Sequence, residues 1–185
     1  MGEVMERAGF LIAALVVTAI AAWFDWRKGE IPNWITLGSL GSGLAAHAVL
    51  GAVAGGAKAA GFELLWSLVG AIACGLVPLL LYRLGALGGG DLKLLLGLGA
   101  VLGVRLGIEA ELYGFVAAAL YAPARLAYEG KLMRTLGNTA ALAANPVLPK
   151  ARRREISPEM MTWLRFGPPL FVGTCITALL NWRAP

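Results

Sequence analysis

Two acidic residues, Asp25 and Asp91, stand directly at the ends of apolar runs in a chain where most ionisable residues are explained by loops. An acidic side chain in or beside a membrane-spanning segment is costly to desolvate, so it pairs or lines a polar cavity and is a site candidate by default. Two carboxylates that converge have a defined chemistry. Within a few Å they cannot both ionise, so one keeps its proton, and the pair can activate a water while donating to a carbonyl oxygen.

The neighbours of each aspartate suit that task. Asp25 opens Asp-Trp-Arg-Lys-Gly-Glu-Ile-Pro-Asn. Pro32 biases Ile31 away from helix and suits the start of the next one, which predicts a short turn between antiparallel helices, shaped by Pro32 and Asn33. Asp91 follows Gly88-Gly89-Gly90, a run that lets the backbone take positive φ and come close to an extended peptide. The same run is equally compatible with a plain helix start capped by the aspartate. Lys93 either tunes the pair or snorkels to the interface. His47, Cys74 and Cys175 lie inside apolar runs without metal-ligand spacing. They read as a helix-bonded imidazole and two small core residues, with no metal and no cofactor expected.

The elements that must position these residues follow from composition. Of 185 residues, 58% are hydrophobic and 15% charged, with a mean hydropathy of +0.72, which points to a bilayer as solvent. A spanning helix needs about 20 mostly apolar residues. An apolar window along the chain marks six segments, 9–24, 34–54, 62–82, 92–104, 106–121 and 164–180, and one long loop, 123–161. The expectation is an all-α, polytopic membrane protein of about six transmembrane helices forming one domain over 1–185. Residues 92–104 make only about 20 Å of helix, so either that helix tilts or Asp91 is drawn below the membrane surface.

Orientation comes from the basic residues. Six crossings put twelve of the 16 Lys and Arg on one side, which short cytoplasmic loops favour, and both termini outside. Asp25 and Asp91 then share the cytoplasmic face, while Glu63, Glu109 and Glu111 fall on the external side, where they are expected to be solvated. The apolar run 11–20 resembles a secretory signal. Glu3 and Glu6 before it and Asp25, Arg27 and Lys28 after it favour a retained helix instead. Part of the long loop, with Arg152 to Arg154, is expected along the lipid interface. Nucleic acid is not expected as a partner, because the basic residues lack interleaved aromatics.

The two aspartate motifs together resemble the type IV prepilin peptidases, membrane aspartyl proteases of the GxGD type. Asp25 is followed by Ile31-Pro32-Asn33, and Gly88-Gly89-Gly90-Asp91-Leu92-Lys93-Leu94-Leu95 continues to Gly97 and Gly99. Phe166-Gly167-Pro168-Pro169 before the last segment is a weaker likeness to a Gly-Pro turn. The resemblance implies that Asp25 and Asp91 are catalytic, with Gly88, Gly90, Lys93, Pro32 and Asn33 shaping the site. It also implies a pilin or pseudopilin precursor as substrate, its basic leader in the cytoplasm and its hydrophobic helix in the membrane, cut at the bacterial inner-membrane boundary. Larger relatives carry Cys-x-x-Cys pairs and also methylate the new amino terminus. This chain lacks those cysteines and resembles the compact, peptidase-only members associated with tight-adherence (Flp-type) pili.

Two other functions use the same residues. A small proton- or cation-coupled transporter would bind its ion at Asp25 and Asp91, although the two halves show no convincing similarity. A non-catalytic subunit of a pilus-assembly machine would tolerate neutral replacement of either aspartate.

Overall fold

In a computed structural model, described over residues 2–128, 130, 133, 136–137 and 165–182, every regular element is an α-helix. The helices are α1 (Gly2–Lys28), α2 (Asn33–Arg83), α3 (Gly89–Tyr128) and α4 (Gly167–Asn181). Most of the expected loop 123–161, including Arg152 to Arg154, lies outside the described residues. Its beginning differs from expectation: α3 continues through Pro123 to Tyr128. The chain divides into two compact units, Met1–Ala117 with Arg165–Pro185, and Ala118–Leu164. In the second, Arg125 Nη1 donates to Tyr121 Oη one turn earlier, at 3.4 Å.

Helices α2 and α3 are hairpins. His47 Nδ1 lies 3.7 Å from Glu63 Oε2, whereas sixteen residues of straight helix would hold them about 24 Å apart. The reversal occurs at Gly55 and Gly56, where Gly56 takes φ +71°, a left-handed conformation that glycine adopts without a Cβ penalty. Gly103, at φ +72°, reverses α3 in the same way and brings Gly99 against Gly107. Four chain-continuous helices thus contain six straight helical segments among the described residues.

A reversal inside a helix strands carbonyls, because the amides four residues on have turned away. Two of those carbonyls before Gly103 are taken up by side chains of α2: Ser67 Oγ donates to Ala100 O at 2.7 Å, and His47 Nε2 meets Val101 O at 3.2 Å. The imidazole is thus bonded to a neighbouring helix, as its apolar setting suggests.

The segment 89–102 is the centre of the first unit. Leu94, Leu95, Leu98 and Ala100 are all but inaccessible, and glycines let the flanking helices reach its backbone. A Cβ on Gly43 would sit 2.8 Å from the Ala100 carbonyl carbon, and one on Gly99 2.8 Å from that of Gly70. Such small-residue contacts give close van der Waals approach where solvent supplies no hydrophobic drive. Being wrapped by protein, this segment needs no long apolar face of its own, which accounts for its shortness. Helix α4 packs along α1.

Glu6–Lys28 of α1 and Asn33–Arg83 of α2 are long and apolar enough to cross a membrane. Outward-facing Ile12, Val16, Val53, Leu76 and Leu80 leave broad apolar faces uncovered.

Candidate active site

Asp25 lies near the end of α1, where Gly29, at φ +73°, terminates the helix by returning its N–H to Asp25 O at 2.9 Å. Pro32, at φ −60° and ψ 140°, is the extended residue that starts α2, and the amide of Ile35 closes on its carbonyl at 3.0 Å. The stretch 29–33 is therefore the tight turn that Pro32 implies. Opposite it, Gly85 at φ +71° ends α2, and Gly89 begins α3.

Between the 29–33 turn and the Gly88–Gly90 run opens a cavity of about 340 Å³ with both Asp25 and Asp91 on its walls. Gly88, Gly90 and Asn33 line it as well. Gly90 faces Ile31, with room for its Cβ at 3.5 Å. A Cβ on Gly88 would meet Asp91 Oδ2 at 2.9 Å, so glycine there leaves the carboxylate its space. Lys93 is exposed and donates from Nζ to Asn33 Oδ1 at 3.0 Å, tying the start of α2 to the start of α3. Pro32 does not line the cavity. It sets the path of the turn that does.

Asp91 sits in the first turn of α3, inside the helix, so it is not the N-cap that a plain helix start would use. It precedes the apolar run beginning at Leu92. Its carboxyl is pushed up to about 7, first by burial and then by the charge of Asp25, against a lowering hydrogen bond from the Gly88 backbone. The charge of Asp25 reaches Asp91 across the cavity that both residues line.

Asp25 is 5% exposed. Its Oδ2 accepts the Gly167 N–H at 2.8 Å, and this contact was missed as a site feature in the sequence. Its signal was the Phe166-Gly167-Pro168-Pro169 stretch. Pro168 and Pro169 have no N–H, and Leu170 N–H closes on Phe166 O, so the first turn of α4 directs the Gly167 amide at the aspartate. Only glycine fits, because a Cβ there would lie 2.9 Å from Asp25 Cβ and 3.1 Å from Ala22 Cα. The positive end of the α4 dipole adds to the donor. Glu30, on the rim of the cavity and exposed, was also passed over.

Arg165 donates to the Trp26 carbonyl near the end of α1. Arg27 stacks over Trp23 and Lys28 over Phe24. Trp23, Trp26 and Trp34 are each more than half exposed around this end of the bundle.

Of the acids expected to be solvated, Glu111 is buried, 6% exposed. The second half of α3 folds back on α2 and encloses it near Cys74, which the apolar window could not register. Glu109 accepts a hydrogen bond from Asn181 Nδ2 at 3.1 Å. Among the described residues no three His, Cys, Asp or Glu side chains gather as a metal site.

Residues 11–123 match the model of the type IV leader peptidase family. No curated protein and no solved structure matches the chain.

Proposed function

Since the chain belongs to the type IV leader peptidase family, and so is a peptidase for prepilin-type substrates, we propose that Asp25 and Asp91 are its catalytic pair. The supporting observation is their placement on the walls of one cavity, where burial first and then the charge of Asp25 favour a proton on Asp91. Asp25, whose Oδ2 is oriented by the Gly167 amide, acts as the base, and Asp91 as the acid.

In the reaction a water held between them attacks the scissile carbonyl carbon. Its proton passes to Asp25 as Asp91 gives its own to the carbonyl oxygen, leaving a neutral tetrahedral diol. Collapse breaks the C–N bond. The leaving nitrogen takes the proton from Asp25, and Asp91 recovers one from a diol hydroxyl, so both carboxyls return to their starting states.

The setting is a multi-pass arrangement in which the six helical segments cross the bilayer with the site at the cytoplasmic surface. Trp23, Trp26 and Trp34 suit an interfacial belt, and Arg27, Lys28, Arg83 and Lys93 near the same end suit the basic side. The substrate is a prepilin or pseudopilin whose apolar helix lies in lipid. Glu30 at the cavity rim complements the basic leader, and the Gly88–Gly90 run leaves room for an extended backbone beside Asp91. The lack of cysteine pairs between the aspartate motifs favours Flp-type precursors.

Co-expression with an Flp-type prepilin tests this by gel shift. Wild type removes the leader. Asp25→Asn and Asp91→Asn insert into the membrane at wild-type levels and remove none. Normal cutting by either variant refutes the pair and favours a transporter or an assembly subunit.

A further inference from the structure

The far end of α1 holds a second cavity, about 27 Å along the helix from Asp25 to Arg7 at 1.5 Å per residue. It has a volume of about 310 Å³, within the range of small-ligand sites. Its walls carry charges of both signs: the carboxylates of Glu6 and Glu63 and the guanidinium of Arg7. His47, stacked on Phe10 with ring centroids 4.3 Å apart, forms a flat side. An apolar groove of about 450 Å³ adjoins it, running between Gly9 and Ala13 of α1 and Ala46 and Val49 of α2. The two spaces share Glu6, Phe10 and Leu50 as wall residues and so lie side by side.

A mixed-charge chamber beside an apolar groove matches the two parts of an amphiphile. We propose that this end of the protein binds a zwitterionic phospholipid of the phosphatidylethanolamine class, with its headgroup in the chamber and one acyl chain in the groove. The charges select the headgroup. A purely anionic group would face Glu6 and Glu63, and a purely cationic one would face Arg7. The phosphate meets Arg7, whose five N–H donors can serve it alongside a protein partner. The primary ammonium meets Glu63, whose side chain is 42% accessible beside His47. A quaternary ammonium has no N–H to donate to these carboxylates, which separates ethanolamine from choline. The site rests on the membrane setting proposed above, at the surface opposite the aspartates, and is independent of their chemistry.

The test uses the full-length protein in detergent, with thermal denaturation as readout. The probes are dihexanoyl phosphatidylethanolamine, dihexanoyl phosphatidylglycerol and free phosphoethanolamine. The first is expected to raise the melting temperature with an apparent affinity about tenfold above the other two. Arg7→Gln and Glu63→Gln each weaken it about tenfold, the scale of one charge-assisted hydrogen bond. Ala13→Phe fills the groove and weakens the lipid while leaving phosphoethanolamine unchanged. Equal binding of phosphatidylglycerol, equal binding of the free headgroup, or wild-type affinity in both charge variants overturns the proposal. Leader cleavage by the same preparations keeps the two functions apart. All three variants are expected to cut normally, and a protein that binds the lipid but never cuts would refute the peptidase chemistry alone.

Discussion

Replacing Gly167 by alanine tests the role of the amide that holds Asp25. The added Cβ would lie 2.9 Å from Asp25 Cβ, 3.0 Å from Oδ2 and 3.1 Å from Ala22 Cα, and the first and last of these are held by the α1 backbone. Helix α4 must retreat from α1, which lengthens the 2.8 Å bond from Gly167 N–H to Oδ2. A hydrogen bond to a charged group contributes about 1.5–3 kcal/mol, so cleavage should slow about 10- to 100-fold if that bond orients the base. The assay is the initial rate of leader removal in membranes, normalised to inserted protein, since overpacking alone can cost about 1–3 kcal/mol of stability. Gly9→Ala is the control, because a Cβ there meets nothing within 4 Å. A Gly167→Ala protein that inserts normally and cuts at the wild-type rate would show that the α4 amide does not position Asp25.

Cleavage should fall with the slope of a single proton as pH rises through about 7, where Asp91 loses the proton it donates; a pH–rate profile on a neutral-leader substrate checks this. The same shift ties stability to pH: between 3.8 and about 7 the folded chain keeps a proton on Asp91 that the unfolded chain has released, so stability falls as pH rises across that window and levels off above it, as thermal melts would show. Lys93→Met removes an exposed hydrogen bond to Asn33, and should alter stability by less than about 1 kcal/mol while slowing cleavage about two- to fivefold by loosening the cavity wall, a split visible in paired melts and kinetics. Gly99→Ala drives a methyl into the Gly70 backbone and Cys74, at an expected cost of about 3 kcal/mol, whereas Gly38→Ala meets open space and should insert normally, as membrane-fraction blots would report.

The sequence alone determined the helical class and the two aspartate motifs that carry the family likeness. Long apolar runs have few ways to satisfy their backbone except as helices, and the composition left little else. Proline also marked a turn: Pro32 restarts a helix for reasons local to its own backbone. Such features are legible because the physics that decides them acts within a few residues. Family membership was legible as well, since Asp25 with Ile31-Pro32-Asn33 and Gly88 to Asp91 are contiguous strings.

Only the tertiary structure decided what meets across the chain. Gly167 lies 142 residues from the aspartate it contacts, and no periodicity announces that two prolines leave its amide aimed at Asp25. The approach of Lys93 to Asn33 has the same origin. Glu111 looked solvated because the expected topology put it on the external side, and it is buried because the hairpin at Gly103 folds its segment back against α2. The raised Asp91 carboxyl likewise depends on burial and on a neighbour from another helix. Burial and partner choice are properties of the packed assembly, set by which surfaces the glycine reversals bring together, and these are contacts that a local reading of residues cannot contain.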